Sequence, residues 1–296
     1  MVGPRARKAA ATWLVTALLA GLGLLSSAAP AGAAVSIGQN PLSTPPADCT
    51  SQLDLLQPSV TSATRYVVPS AIAQGAITSW SHRAAAGTGQ TITLKVFRSA
   101  GGSSFQVVGH DGPRNLSASS LNTFNNVSIP VAAGDILGLN SANAASAPNG
   151  CVFAATGDQH LEAPGNLANG ASGAFSPVPD TRVNVRARVE PVNRFSFGSL
   201  VRQKKRGIAF VQVNLPNPGR LSVSGSGVTD FVHGSSRILA PGTVTVAIGA
   251  TNGKRRKLKR RGRVFLAPTF RYTPTSGSRH SETLVVKLKK KRKKRR

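Results

Sequence analysis

Asp158, His160 and Glu162, spaced by two, form the densest group of candidate ligands in this 296-residue chain. On an extended strand they share one face, a spacing that permits metal coordination. Polar alternation along an exposed strand edge is the preferred reading and needs no ion, so no metal site is expected. Calcium would require several convergent oxygens. Asp135 and Asp158 are candidates, but nothing in the sequence brings them together. His110 and Asp111 have the chemistry of an orienting acid–base pair, yet they stand in His-Asp-Gly-Pro, where Asp is expected to close a turn on its own backbone. Trp80 with Tyr66 would give a flat platform for a sugar ring. A lone Trp in the alternation of a strand reads instead as core.

No nucleophile elbow, His-Glu-x-x-His pair, phosphate-binding loop or dinucleotide-binding glycine motif is present. The chain is therefore expected to be non-catalytic and to hold no cofactor.

The strongest chemical signal is cationic. It lies in Arg202-Gln203-Lys204-Lys205-Arg206, in Lys254, Arg255, Arg256, Lys257, Lys259, Arg260 and Arg261 around Leu258, and in an unbroken C-terminal run. That run is Lys289, Lys290, Lys291, Arg292, Lys293, Lys294, Arg295 and Arg296. Packing such runs together costs repulsion with almost no acid to offset it, so a purely structural role is disfavoured. They are expected at loops and at a free terminus, where they would attract a polyanion. Aromatic residues are not interleaved with them as base stacking would want.

Charge divides the chain. Residues 35–193 contain 8 Lys/Arg and 8 Asp/Glu, whereas residues 194–296 contain 26 Lys/Arg and 2 Asp/Glu. Such a break predicts two domains with different surface duties. Ahead of both, Arg5, Arg7 and Lys8 precede an apolar stretch from Ala9 to Leu25 and then a run of small residues to Ala34. That order is expected of a signal peptide over residues 1–34. No later stretch is apolar for long enough to span a bilayer. Residues 35–47, rich in Pro and Ser, read as a flexible leader. In an exported chain the two cysteines, Cys49 and Cys151, predict one disulfide.

Period-two alternation dominates the remainder. Ile92, Leu94 and Val96 share a face, as do Val183, Val185, Ala187 and Val189. Further on, Ala209, Val211, Val213 and Leu215 do the same, followed by Leu284, Val286 and Leu288. Gly, Pro, Asn and Asp cluster between these segments, and helical periodicity is absent. The expected fold is all-β, with two antiparallel β-sandwich domains after the signal peptide. Residues 48–192 would form a neutral jelly-roll or Ig-like sandwich, 193–288 a basic Ig-like one, and 289–296 a basic tail.

Several segments carry a resemblance. Trp80-Ser81-His82, residues 94–98, Val108-Gly109-His110-Asp111-Gly112-Pro113-Arg114, residues 130–139 and Gly165-Asn166-Leu167 resemble a β-sandwich domain. It recurs in uncharacterised secreted proteins of high-GC soil actinobacteria. Phe195-Ser196-Phe197-Gly198, Lys204-Lys205-Arg206-Gly207 and Pro218-Gly219-Arg220-Leu221 are similar to a basic Ig-like module in the same proteins. The resemblance implies export and architecture, and it assigns no chemistry to any residue.

The functional expectation is a secreted or envelope-associated protein tethered through its basic half to an anionic wall polymer or lipid surface. Two other readings stand beside it: an extracellular carbohydrate-binding or hydrolytic module, and extracellular nucleic-acid binding through the basic runs.

Overall fold

A computed structural model of the protein describes residues 34–42, 47, 49, 51–141, 149–230 and 236–291. The expected signal peptide, apart from Ala34, and the last five residues of the basic tail lie outside the described residues.

The chain is all-β with antiparallel sheets. Its first strands are β1 (Val35–Gln39), β2 (Leu53–Ser59), β3 (Gln74–Arg83), β4 (Thr91–Gly101), β5 (Ser104–Asn115) and β6 (Leu121–Ala132). There follow β7 (Ile136–Asn140), β8 (Val152–Pro164), β9 (Ser172–Ala174), β10 (Ser176–Val183) and β11 (Val185–Pro191). They build a four-stranded sheet, β1-β11-β3-β6, and a seven-stranded sheet, β10-β8-β2-β7-β4-β5-β9. Ile77, Trp80 and Val189 from the first sheet pack with Leu55, Leu94 and Leu139 from the second in one buried cluster, the face-to-face arrangement of a sandwich.

The central strands of the seven-stranded sheet are buried on their other face as well, where Leu56, Phe97, Phe105, Val107 and Phe175 form a separate cluster. Lys95, between Leu94 and Val96, therefore points into this outer layer and is only 3% exposed. Its ammonium lies 2.6 Å from Asp54 Oδ1 and donates to Asn166 Oδ1 and Leu167 O, so all three hydrogens are used. Burial pushes the Lys95 pKa down, and Asp54 opposes that shift.

Two sequence expectations change here. Residues 35–47 are not a flexible leader throughout: β1 pairs with β11, Ile37 is buried, and Tyr66 donates its hydroxyl to Gln39 O. Alternation of Val35 and Ile37 places that strand on the sheet, and the Pro-rich composition begins only at Pro41. The stretch from Arg182 to Glu190, expected as one strand, passes from one sheet to the other at Asn184. The buried Asn184 amide donates to Arg83 O and Gly150 O, replacing ladder partners that the bend removes.

The later strands are β12 (Ser196–Gln203), β13 (Ile208–Leu215), β14 (Gly219–Ser224), β15 (Val228–Asp230), β16 (Ser236–Ile238) and β17 (Gly242–Ala250). After helix α1 (Asn252–Arg261) come β18 (Arg263–Leu266), β19 (Thr269–Pro274), β20 (His280–Thr283) and β21 (Val286–Lys289). Sheets β12-β13-β17-β15 and β16-β14-β19-β20, with the ribbon β18-β21, enclose a core of their own around Val211, Val246, Phe270 and Tyr272. Asn217 ties the two cores together. Its amide donates to Gln74 O and Val192 O and accepts from Gln74 N, while Tyr272 donates to its carbonyl.

Cys49 and Cys151 form a disulfide across 102 residues, and Cys151 is fully buried. Mass spectrometry of the non-reduced protein should show this one linked pair. Replacing both cysteines by Ser should lower stability by about 4.7 kcal/mol, the chain-entropy value for a loop of this length. A denaturation midpoint unchanged by the double replacement would count against that role.

Candidate polyanion interface

The groups singled out for acid–base or metal chemistry are all engaged structurally. Asp158, His160 and Glu162 do share a face of β8, but β8 is interior to its sheet and its polar residues are not an exposed edge. Asp158 is buried, accepts from the Thr61 amide at 2.6 Å and hydroxyl at 2.7 Å, and is paired with the Arg182 guanidinium. Burial pushes its pKa up, and the Thr61 donors and Arg182 together outweigh burial, holding the carboxyl below its ordinary range. His160 Nδ1 meets Thr181 Oγ1 at 2.7 Å, and its Nε2 lies 3.6 Å from Glu162 Oε2. Asp135 is buried against Arg98, apart from Asp158. Among the described residues no group of three or more His, Cys, Asp or Glu side chains could hold a metal ion.

His110 and Asp111 sit within β5 rather than in a turn. Asp111 accepts from Trp80 Nε1 on another strand at 2.6 Å and from two nitrogens of Arg114, three residues on in its own strand. His110 turns away to Asn169 Oδ1 at 2.8 Å. Trp80 and Tyr66 are each 1% exposed, so no aromatic platform faces solvent at that point.

The basic runs behave differently. Lys204, Lys205 and Arg206 occupy the turn between β12 and β13, as a loop reading expects. Residues 254–261, expected in a loop, are instead helical. Lys and Arg are good helix formers, and no Gly or Pro interrupts them. Gly262 closes the helix in the left-handed conformation at φ 71°, its N–H bonded to Leu258 O. Lys259, Arg260 and Arg261 lie in the last turn, where the helix dipole favours cations. Leu258, the single apolar residue of the run, is 3% exposed and packs into the second core. One apolar residue cannot display a period, which is why the pattern hid the helix.

Beside α1 runs the β18-β21 ribbon. Val264, Leu266, Val286 and Leu288 point inward and are buried. Arg263 stands opposite Lys289, and Phe265 opposite Lys287, on the outward side. Lys289 is thus a strand residue rather than part of a free tail. Backbone bonds then draw the three runs together: Lys290 N donates to Gly262 O, and Lys291 N to Lys204 O. The Lys290 ammonium donates to Lys205 O at 3.1 Å, and Arg202 Nε to Lys287 O at 2.8 Å.

The result is a half-open cleft of about 940 Å³ between α1 and the ribbon. Lys204 closes one side, Lys254, Lys257, Arg260 and Arg261 come from the helix, and Arg263, Lys287, Lys289, Lys290 and Lys291 from the ribbon and its extension. A second cleft of about 250 Å³ is lined by Arg206, Arg255, Lys259 and Lys290. Lys205 and Arg256 are exposed and line neither cleft. Arg292, Lys293, Lys294, Arg295 and Arg296 lie outside the described residues. Among the described residues no ion pair engages the basic side chains of the three runs. Sequence reasoning missed Arg263, Lys287 and Phe265. Their signal was the alternation 263/265 and 287/289, outward against a buried inner row.

No protein-family model matches the chain, and no curated protein matches it in sequence.

This geometry can be tested at two residues. Leu258→Ala removes the apolar pin of a helix that otherwise repels itself, and should cost about 2–4 kcal/mol in chemical denaturation. A loss below about 0.5 kcal/mol would mean that α1 is held by something else. Asp158, its pKa depressed, contributes stability that is full above about pH 4 and is lost as pH falls through the folded value. Asp158→Asn should cost about 3 kcal/mol at neutral pH by leaving Arg182 buried and unpaired. It should also flatten the decline in stability below about pH 4, and an unaltered acid limb in the variant would exclude Asp158 as its source.

Proposed function

We propose that the protein is an exported, non-catalytic, two-domain β-sandwich protein whose basic half tethers it to anionic polymers or lipids of the cell envelope. In this reading residues 48–192 are a jelly-roll or Ig-like sandwich and residues 193–288 an Ig-like one. The observation that carries the proposal is the convergence of three sequence-distant basic runs on one end of the second core, with no acid among them. Like charges gathered this way destabilise the fold unless a ligand of opposite sign rewards the arrangement.

Export is supported by the n-region, apolar stretch and small-residue order at the N-terminus. The disulfide agrees with an oxidising compartment. Among the described residues no helix is long and apolar enough to cross a membrane, so attachment by charge is the route offered here. The non-catalytic reading rests on the candidate groups: Asp111, Asp158 and the Nδ1 of His160 are held by structural partners. Burial of Trp80 and Tyr66 withdraws support from the carbohydrate-binding alternative.

The test is retention of the full chain on purified envelopes across a salt series. The structure redirects the obvious variant. Deleting from Lys289 would remove a strand residue and the backbone bonds of Lys290 and Lys291, so truncation should begin at Arg292. Replacing Lys254, Lys257, Arg260 and Arg261 together by Gln should leave the fold intact and weaken retention more than that truncation does. Under counterion release, the logarithm of the association constant should fall linearly with the logarithm of salt concentration. The Gln variant should make that slope shallower by about 0.7–0.9 for each anionic group it no longer neutralises. Retention indifferent to salt would overturn the tether.

A further inference from the structure

Among the described residues Phe265 is the one large aromatic side chain in the wall of the main basic cleft, and it is 56% exposed. It is outward-facing on a ribbon whose fold needs only the inner row of Val264, Leu266, Val286 and Leu288. A Thr or Lys at that position would complete the alternation without exposing a ring. Its neighbours on that side are cations, with Arg263 two residues before it and Lys287 directly across the ladder. Lys287 Nζ lies 5.4 Å from the ring centroid, so the ring already receives a charged group from the cleft. A scattered surface hydrophobe needs no explanation. An aromatic face set among ten Lys and Arg side chains of one groove is a different object.

We infer that this cleft takes a single-stranded nucleic acid, with phosphates on the basic walls and a base stacked on Phe265. The proposal rests on the polyanion affinity that the tether reading gives the cleft and adds to it a ligand from outside the envelope. A charged groove that tracks a backbone, combined with an aromatic face, is the arrangement by which single strands are held without sequence preference. Duplex bases are stacked on each other and cannot reach the ring. A wall polymer without flat rings would leave Phe265 with nothing to do. A bilayer surface would reward an apolar tip standing proud of the charges, whereas this ring belongs to the wall of a cleft.

The experiment uses the full chain with fluorescent oligothymidylate of about 15 nucleotides, within the span of one such groove. A duplex, linear polyphosphate and phosphatidylglycerol vesicles serve as the other probes. Phe265→Ala and Phe265→Leu should weaken oligothymidylate binding by about 5- to 150-fold, the equivalent of one missing base stack, and Phe265→Tyr should keep it. Polyphosphate affinity should be the same in all four proteins. Oligothymidylate binding indifferent to Phe265, or polyphosphate weakened equally by its removal, would overturn the inference while leaving the electrostatic tether standing. Duplex bound as tightly as the single strand, or a Phe265 dependence confined to vesicles, would overturn it in favour of those partners. Binding of none of the probes would remove both proposals.

Discussion

Cations held side by side repel, and in the second half of this protein the forces that keep them together are apolar burial and backbone hydrogen bonding. Helix α1 stacks like charges one turn apart: Arg255 above Lys259, Arg256 above Arg260, Lys257 above Arg261. Each such pair opposes helix formation by a few tenths of a kcal/mol. Leu258 in the core and the Gly262 closure supply what the helix lacks by itself. The ribbon repeats the logic, with an inner row of Val and Leu holding an outer row of Arg, Phe and Lys. The basic face therefore exists because the second core exists, and it disperses when that core opens.

The first half solves the opposite problem. The central strands of its seven-stranded sheet are buried on both faces, so polar side chains that would ordinarily reach water are trapped in the outer layer. The charged ones are matched: Lys95 there by Asp54, Asn166 and Leu167, and elsewhere in this half Arg182 by Asp158; Asn140 donates to Asp54, though its Oδ1 has no partner. An unpaired buried charge would cost several kcal/mol, so these networks are conditions of folding there. They also hold Asp111, Asp158 and the Nδ1 of His160 on structural partners, while the buried His160 Nε2 is left without a hydrogen bond.

Much of the fold was legible because strand alternation is a local signal. Val185, Ala187 and Val189 alternate with exposed Arg186, Arg188 and Glu190, and the structure keeps that pattern. Two things were not legible. Burial of a sheet on both faces depends on what covers it, and residues far along the chain, Leu167 and Phe175, cover β4. The fate of Asp111 was hidden for the same reason, because its partner Trp80 lies 31 residues away and a turn motif offered a nearer explanation. Of the candidate site, the basic runs themselves were plain. Their convergence was not, since it rests on backbone bonds such as Lys291 to Lys204, which leave no trace in composition.

The division of charge between the halves follows from these two solutions. In the first half Asp54, Asp111, Asp135 and Asp158 are each paired with a nearby cation, and Glu190 lies 3.2 Å from Arg188. Charges matched at contact distance cancel within the body that holds them and project little field. They are also fixed in place, so they are not available to swing across and neutralise the basic face. In the second half the acids are Asp230 and Glu282, and Glu282 is bonded to His280. The cations of the clefts are thus left to solvent and salt, which screen them only beyond about 8–10 Å. The first half balances its charges largely by pairing them, whereas the second gathers uncompensated cations side by side in the clefts around α1 and the ribbon.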